Sequence, residues 1–225
     1  MPYLPAEHIE KTAQEILEQV GYNSGPVDLE KICSMLYLDL QFSDQFVEDG
    51  DGTPILGSAN FDRRSIKINS HADKNRERFT LGHEIGHFCL KHDQYLRSET
   101  IVERDLFVDT ESEKGFDYER LEFQANYFSS DIIMPSHVFR TEVDVARKKF
   151  DIRDRGHGYI FVDDQPCNLL PYYQLLLQLS LYCEVSKRAT EIKLKKMGLL
   201  TDQRTRNQAS PTAKLLENII GYSQR

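Results

Sequence analysis

Two histidines four residues apart, with a glutamate directly after the first, are the part of this 225-residue chain best suited to chemistry: His83-Glu84-Ile85-Gly86-His87. On an α-helix, positions four apart lie one above the other, so the two imidazoles converge on one point. Neutral imidazole is a preferred zinc ligand, and H-E-x-x-H is the pattern of zinc peptidases, whose glutamate manages the proton of a polarised water. The spacing predicts His83 and His87 as metal ligands and Glu84 as general base. A catalytic zinc takes three protein ligands and leaves the fourth position to water, so a third donor must come from elsewhere. Residues 118–134, YERLEFQANYFSSDIIM, offer one. Leu121, Ala125, Phe128 and Ile132 form an apolar stripe at helical spacing, with Glu122 beside it and Asn126 one turn on. A glutamate next to such a stripe is costly to bury unless it is paired or bound to metal, which marks Glu122 as the third ligand. Asn126 is placed to orient a ligand from behind.

These side chains need two helices to carry them, and the flanks supply the signals. Phe79, Gly82, Ile85, Gly86, Cys89 and Leu90 give an apolar or small stripe around the histidines, with Lys91 and His92 in the last turn. Taken together, R-x-R-F-T-x-x-H-E-x-G-H at 76–87, the later His92, and E-x-Q-A-N-x-F running to Met134-Pro135 resemble the ImmA/IrrE family of bacterial zinc metallopeptidases. The resemblance extends in order over roughly residues 5–140 and implies zinc as cofactor, His83, His87 and Glu122 as its ligands, and Glu84 as base. It also implies a partner, a helix-turn-helix repressor that members cleave or otherwise inactivate. Ser129-Ser130 replaces the alanine common after the phenylalanine of the second motif, a small change at a packing position.

The remaining chain reads as support for this pair of helices. Residues 6–20 form an amphipathic helix (Ile9, Ala13, Ile16, Leu17, Val20) stopped by Gly21, and residues 27–36 a second, shorter one. Strands are predicted at 38–42, 55–61 and 65–69, the last two joined by Asp62-Arg63-Arg64, and the acidic stretch 48–52 reads as a loop. A strand beside the cleft is suited to pairing with an extended substrate backbone. Residues 97–115 are charged and read as a mobile loop or lid, or as plain insertion. Further helices are predicted at 136–150, 172–182 and 184–197, with a β-hairpin at 158–163, a linker at 201–212 and a terminal helix at 213–222. Val185-Ser186-Lys187-Arg188-Ala189 followed by Met197-Gly198-Leu199 resembles the family's half of a helix-turn-helix. The predicted fold class is α+β: a small antiparallel sheet packed with a zincin-like helical core, followed by a helical C-terminal region. The expected division is a metallopeptidase domain at 1–140 and a mainly helical region at 141–225.

Composition limits the functions on offer. Residues 1–184 carry 19 Lys and Arg against 33 Asp and Glu, a net −14, whereas residues 185–225 carry 9 against 3, a net +6. An acidic body argues against general nucleic-acid binding through the catalytic part; the basic tail leaves such contact open without favouring it. No stretch has the length of a membrane span, the start is not a secretory signal, and Cys33, Cys89, Cys167 and Cys183 are scattered without paired spacing. Reduced thiols in a cytoplasm are the natural expectation. Cys167, in a polar turn-like stretch, is a candidate inhibitory ligand that would occupy the water position. His92, Tyr95, Tyr118 and Tyr127 are candidate donors to a tetrahedral oxyanion. The expected function is a zinc endopeptidase that cleaves a helix-turn-helix repressor and relieves repression in a stress, phage or mobile-element response. The alternative is a DNA-binding or anti-repressor regulator acting by contact.

Overall fold

The computed structural model describes residues 4–102, 105 and 118–205. The expected terminal helix at 213–222 and most of the expected lid lie outside these residues. The chain divides into two compact units, residues 1–135 and 136–225.

The first unit begins with helix α1, Ala6–Gln19, whose Ile9, Ala13, Ile16 and Leu17 are buried as their spacing requires. Helix α2, Leu29–Met35, starts at Asp28, whose side chain accepts from the Lys31 N–H and satisfies one of the free amides of the first turn. Strands β1 (Asp39–Ser43), β2 (Val47–Glu48), β3 (Pro54–Asn60) and β4 (Ser65–Asn69) follow. Asp49 closes the β2–β3 hairpin by accepting from the N–H groups of Asp51 and Thr53, so the acidic stretch is a turn tip. Next come helix α3, Lys74–Cys89, capped by Asp73, then a 3-10 turn at His92–Gln94, strand β5 (Ser98–Val102) and helix α4, Tyr118–Ile133.

The sheet runs β1-β4-β3-β2, with β5 also paired to β3. It is mixed: β3 is antiparallel to β2, β4 and β5, but β1 lies parallel to β4. The expected all-antiparallel order fails at β1, because the chain passes through the β2–β3 hairpin before β4 returns beside it. Residues 98–102, read as the start of a loop, are instead a strand of this sheet. Glu99, Ile101 and Val102 are buried, and Ser98 and Thr100 face out.

The contact between α3 and α4 is unusually close, and glycine permits it. A Cβ added at Gly82 would meet Ser129 Oγ at 2.6 Å and Ile133 Cδ1 at 3.0 Å. One added at Gly86 would meet Phe128 Cδ1 at 3.0 Å and the Ala125 carbonyl oxygen at 3.3 Å. Ser129, the serine in place of the family's alanine, is buried and donates to the Phe79 carbonyl oxygen at 2.8 Å, tying the two helices together.

The second unit contains helix α5 (Ser136–Lys149), strand β6 (Ile160–Val162), helices α6 (Pro166–Cys183) and α7 (Lys187–Lys196), and strand β7 (Leu200–Asp202). The expected hairpin at 158–163 is a single strand that pairs in parallel with β7, so residues 201–202 belong to a strand and not to a linker. Helix α6 starts six residues earlier than its apolar periodicity suggests. Pro166 occupies its first turn, where a missing N–H costs nothing, and Pro171 is accommodated within it. Ser186 caps α7 by accepting from the Ala189 N–H. The pair α6–α7, joined across Glu184 in the left-handed region (φ 54°), is the part that resembles half of a helix-turn-helix. No helix among the described residues is long and apolar enough to cross a membrane.

Gly82→Ala should lower stability by about 1–2 kcal/mol, the overpacking loss exceeding the gain in helix propensity. Ser129→Ala alone should cost about 1 kcal/mol for the lost buried hydrogen bond. Because Ser129 Oγ is the colliding atom, the double variant should be more stable than the two losses combined predict, as read by urea denaturation of metal-free protein.

Candidate metal centre

His83 and His87, one turn apart on α3, and Glu122, from α4, come together as their spacing predicts, and Glu99 of β5 joins them. One donor atom from each of the four lies within 4.8 Å of the others, and none of the four side chains is more than 5% exposed. Glu122 Oε2 is 3.3 Å from His83 Nε2, and Oε1 is 3.6 Å from His87 Nε2.

The protons of this cluster follow from its outer contacts. Asn126 donates through Nδ2 to the Asp105 carbonyl oxygen, which leaves its Oδ1 facing His83 Nδ1 at 2.8 Å. The neutral His83 ring therefore carries its proton on Nδ1 and a lone pair on Nε2, the form that a metal would bind. Behind His87 runs a second chain: the Gln124 carbonyl oxygen accepts from His92 Nε2 at 3.1 Å, so His92 Nδ1 accepts from His87 Nδ1 at 2.9 Å. His87 too is left with a lone pair on Nε2. The two Nε2 atoms face each other at 2.9 Å, and with both rings neutral neither has a proton to share. Two buried lone pairs at that distance repel, and a shared cation turns the repulsion into coordination. Outer contacts of this kind fix ring orientation in metal sites.

The carboxylates tell the same story. Both oxygens of Glu122 and both of Glu84 are buried without a hydrogen-bond partner. Burial pushes Glu122 up to about 8, and Glu84 well above the ordinary carboxylate range, with Glu99 nearby adding to the effect on each. For Glu99 burial is outweighed by His87 and His83, and its carboxyl falls below the ordinary range. Burial also lowers His92 to about 4, keeping it neutral as the hydrogen-bond chain requires. His83 is held well above its usual value: burial opposes the charge but Glu122 and Glu99 prevail, so without a cation Nε2 takes up a second proton, which a bound metal would replace. Burial carries His87 in the opposite direction. A divalent cation among these groups would supply the positive charge that three crowded carboxylates lack. The donors present therefore fit a metal.

Other expected residues are placed as follows. Asn126 stands behind His83, as a positioning role requires. Of the candidate oxyanion donors, His92 is engaged with His87, and Tyr127 donates to Glu10 of α1 at 2.6 Å. Tyr118 donates to Glu99 Oε1 at 2.9 Å and is so bonded to a member of the cluster. Cys167 is exposed in the first turn of α6, with its thiol 3.9 Å from Gln165 Oε1, and is not a member of the cluster. Glu99 and Gln124 are the residues that motif reading missed. The available signal for Glu99 was a carboxylate in the same strand register as Ile101.

A helix-borne imidazole pair with a carboxylate between them in sequence, met by a glutamate from a second helix, is a donor set able to hold a metal. Residues 39–157 match the IrrE N-terminal-like domain, and the chain belongs to this ImmA/IrrE family of peptidases. No curated protein matches it closely enough to add to that assignment.

Asn126→Leu and His92→Leu each remove an outer contact and no predicted donor. Each should weaken metal affinity by about 10- to 100-fold, measured by competition with a chromogenic chelator. Unchanged affinity in both would show that ring orientation does not depend on these chains.

Proposed function

We propose that the chain is a zinc-dependent endopeptidase with His83, His87 and Glu122 as metal ligands and Glu84 as general base. The observation that carries this reading is the pair of Nε2 atoms facing each other at 2.9 Å beside the buried carboxylates of Glu122 and Glu84. Imidazole with carboxylate is a donor set suited to zinc, which when bound would polarise a scissile carbonyl and acidify an attacking water. The chain's own residues do the rest. Glu84, which makes no hydrogen bond that would compete, takes the proton from the attacking water and delivers it to the leaving amine. Asn126, and His92 with Gln124, hold the two imidazoles so that Nε2 of each stays free for the metal.

The substrate we propose is a helix-turn-helix repressor whose cleavage relieves repression. The support is the chain's membership of the family, together with an intact Glu84, which a purely structural metal site has no use for. The catalytic part occupies residues 1–140 in this reading and the helical region 141–225, and the scattered free cysteines suit a cytoplasmic setting. Nucleic acid is not favoured as a partner. Among the basic residues of the C-terminal region, Lys195 pairs with Glu191 and Asp202, and Arg204 with the same two carboxylates. Relief of repression by contact alone is the second reading, and Glu84 separates the two.

Glu84→Gln keeps shape and leaves every proposed ligand in place. Zinc content, read by elemental mass spectrometry, should stay at one per chain. Cleavage of the repressor encoded nearest to this gene, read on a gel, should fall by about 10²- to 10⁴-fold. Relief of repression that survives in Glu84→Gln would establish the contact mechanism in place of proteolysis. His83→Ala, His87→Ala and Glu122→Ala should each lose the metal. Normal metal content in Glu122→Ala would remove that residue from the ligand set.

A further inference from the structure

We propose that Glu99 is a fourth protein ligand, so that the resting centre is closed by two histidines and two glutamates and has no position open to water. The inference rests on the reading of this cluster as a zinc site and adds a donor that the H-E-x-x-H pattern and the second motif do not contain. A catalytic zinc site keeps one of four positions open, whereas four protein donors close it. Glu99 meets the geometric demand. It is 5% exposed, and its carboxylate lies among the same donor atoms as Glu122, with Oε1 4.0 Å from His83 Nε2.

The two oxygens have different surroundings. Oε1 accepts from the Tyr118 hydroxyl at 2.9 Å, which fixes the rotation of the carboxylate. Oε2 comes within 3.0 Å of His87 Nδ1 yet makes no hydrogen bond there, and the same Nδ1 faces His92 Nδ1 at 2.9 Å. A buried carboxylate oxygen without a donor costs free energy unless a cation sits close by. Its position in the fold adds a means of release. Glu99 belongs to β5, which among the described strands pairs only with β3, through Asn60↔Ser98, Ala59↔Glu99 and Ser58↔Thr100. Glu99 is thus the one donor of the four carried by a strand, and a shift of β5 that broke its bond to Tyr118 would withdraw the carboxylate from the three ligands on α3 and α4.

The test loads the full chain with Co(II), whose visible spectrum reports ligand changes, and titrates it with acetohydroxamate as a probe for an open position. Glu99→Gln keeps size and removes the anionic donor. Glu99→Asp keeps the charge but shortens the side chain, and serves if the glutamine variant fails to fold. Metal content is measured for each protein, so that failure of the zinc reading, seen as wild-type chain without metal, is distinct from failure of this one. The wild-type protein should resist the probe, and the variants should bind it on the order of tenfold more tightly or better. Equal probe affinity in metal-loaded wild-type and variant chains would overturn the assignment of Glu99 as a ligand.

Discussion

The close approach of α3 and α4 is the constraint on which the rest of the first unit depends. Two glycines one turn apart, Gly82 and Gly86, remove the side chains that would hold the helices at an ordinary separation. The usual interaxial distance of 8–10 Å is set by the side chains at the contact, so small residues there bring backbones together. The same turns of α3 carry His83 and His87, and the facing turn of α4 carries Glu122, Ala125 and Asn126. Ligand convergence and interhelix packing are therefore one feature. A change in helix spacing would alter both the buried apolar contact at Phe128 and the reach of Glu122.

What this contact encloses is expensive. Three carboxylates and three imidazoles are buried within a few residues of one another, and several of their atoms have no protein partner. Ile85, Leu121, Ala125 and Ile132 on the same two helices are fully buried as well, and burial denies the charges the water that would otherwise solvate them. The arrangement is stable only with the right proton positions, which is why Asn126, Gln124 and His92 matter. Each is an uncharged group that settles which nitrogen of a histidine carries hydrogen. A ligand that binds this folded cluster and not the unfolded chain adds to the stability of the unit by mass action.

Much of this was legible in the sequence, for identifiable reasons. Periodicity of 3.6 places His83, His87 and Glu122 on their helices, and Asn126 follows from Glu122 by one turn. The helices at 6–20 and 118–134 and the strand at 65–69 were given by local pattern, and α1, α4 and β4 match them closely. The misses are cases where the deciding contact is remote. Glu99 lies in a charged stretch, and its burial depends on pairing with Ala59, forty residues earlier. The parallel placement of β1 against β4 and of β6 against β7 likewise depends on partners that local alternation does not identify. Ser129 read as a tolerated substitution because its interhelix hydrogen bond requires knowing how close Phe79 lies.

The β6–β7 pairing carries a consequence for how the second unit is made. Ile160 pairs with Leu200 and Val162 with Asp202, so the two halves of this small sheet leave the ribosome forty residues apart. At synthesis rates of about 5–20 residues per second, β6 waits about 2–8 seconds for its partner strand. Ile160 and Val162, both fully buried in the finished unit, are uncovered on that edge throughout. Helices α6 and α7 are made in the interval, and their local contacts can form at once. The pairing that completes this small sheet therefore follows the two helices in the order of synthesis.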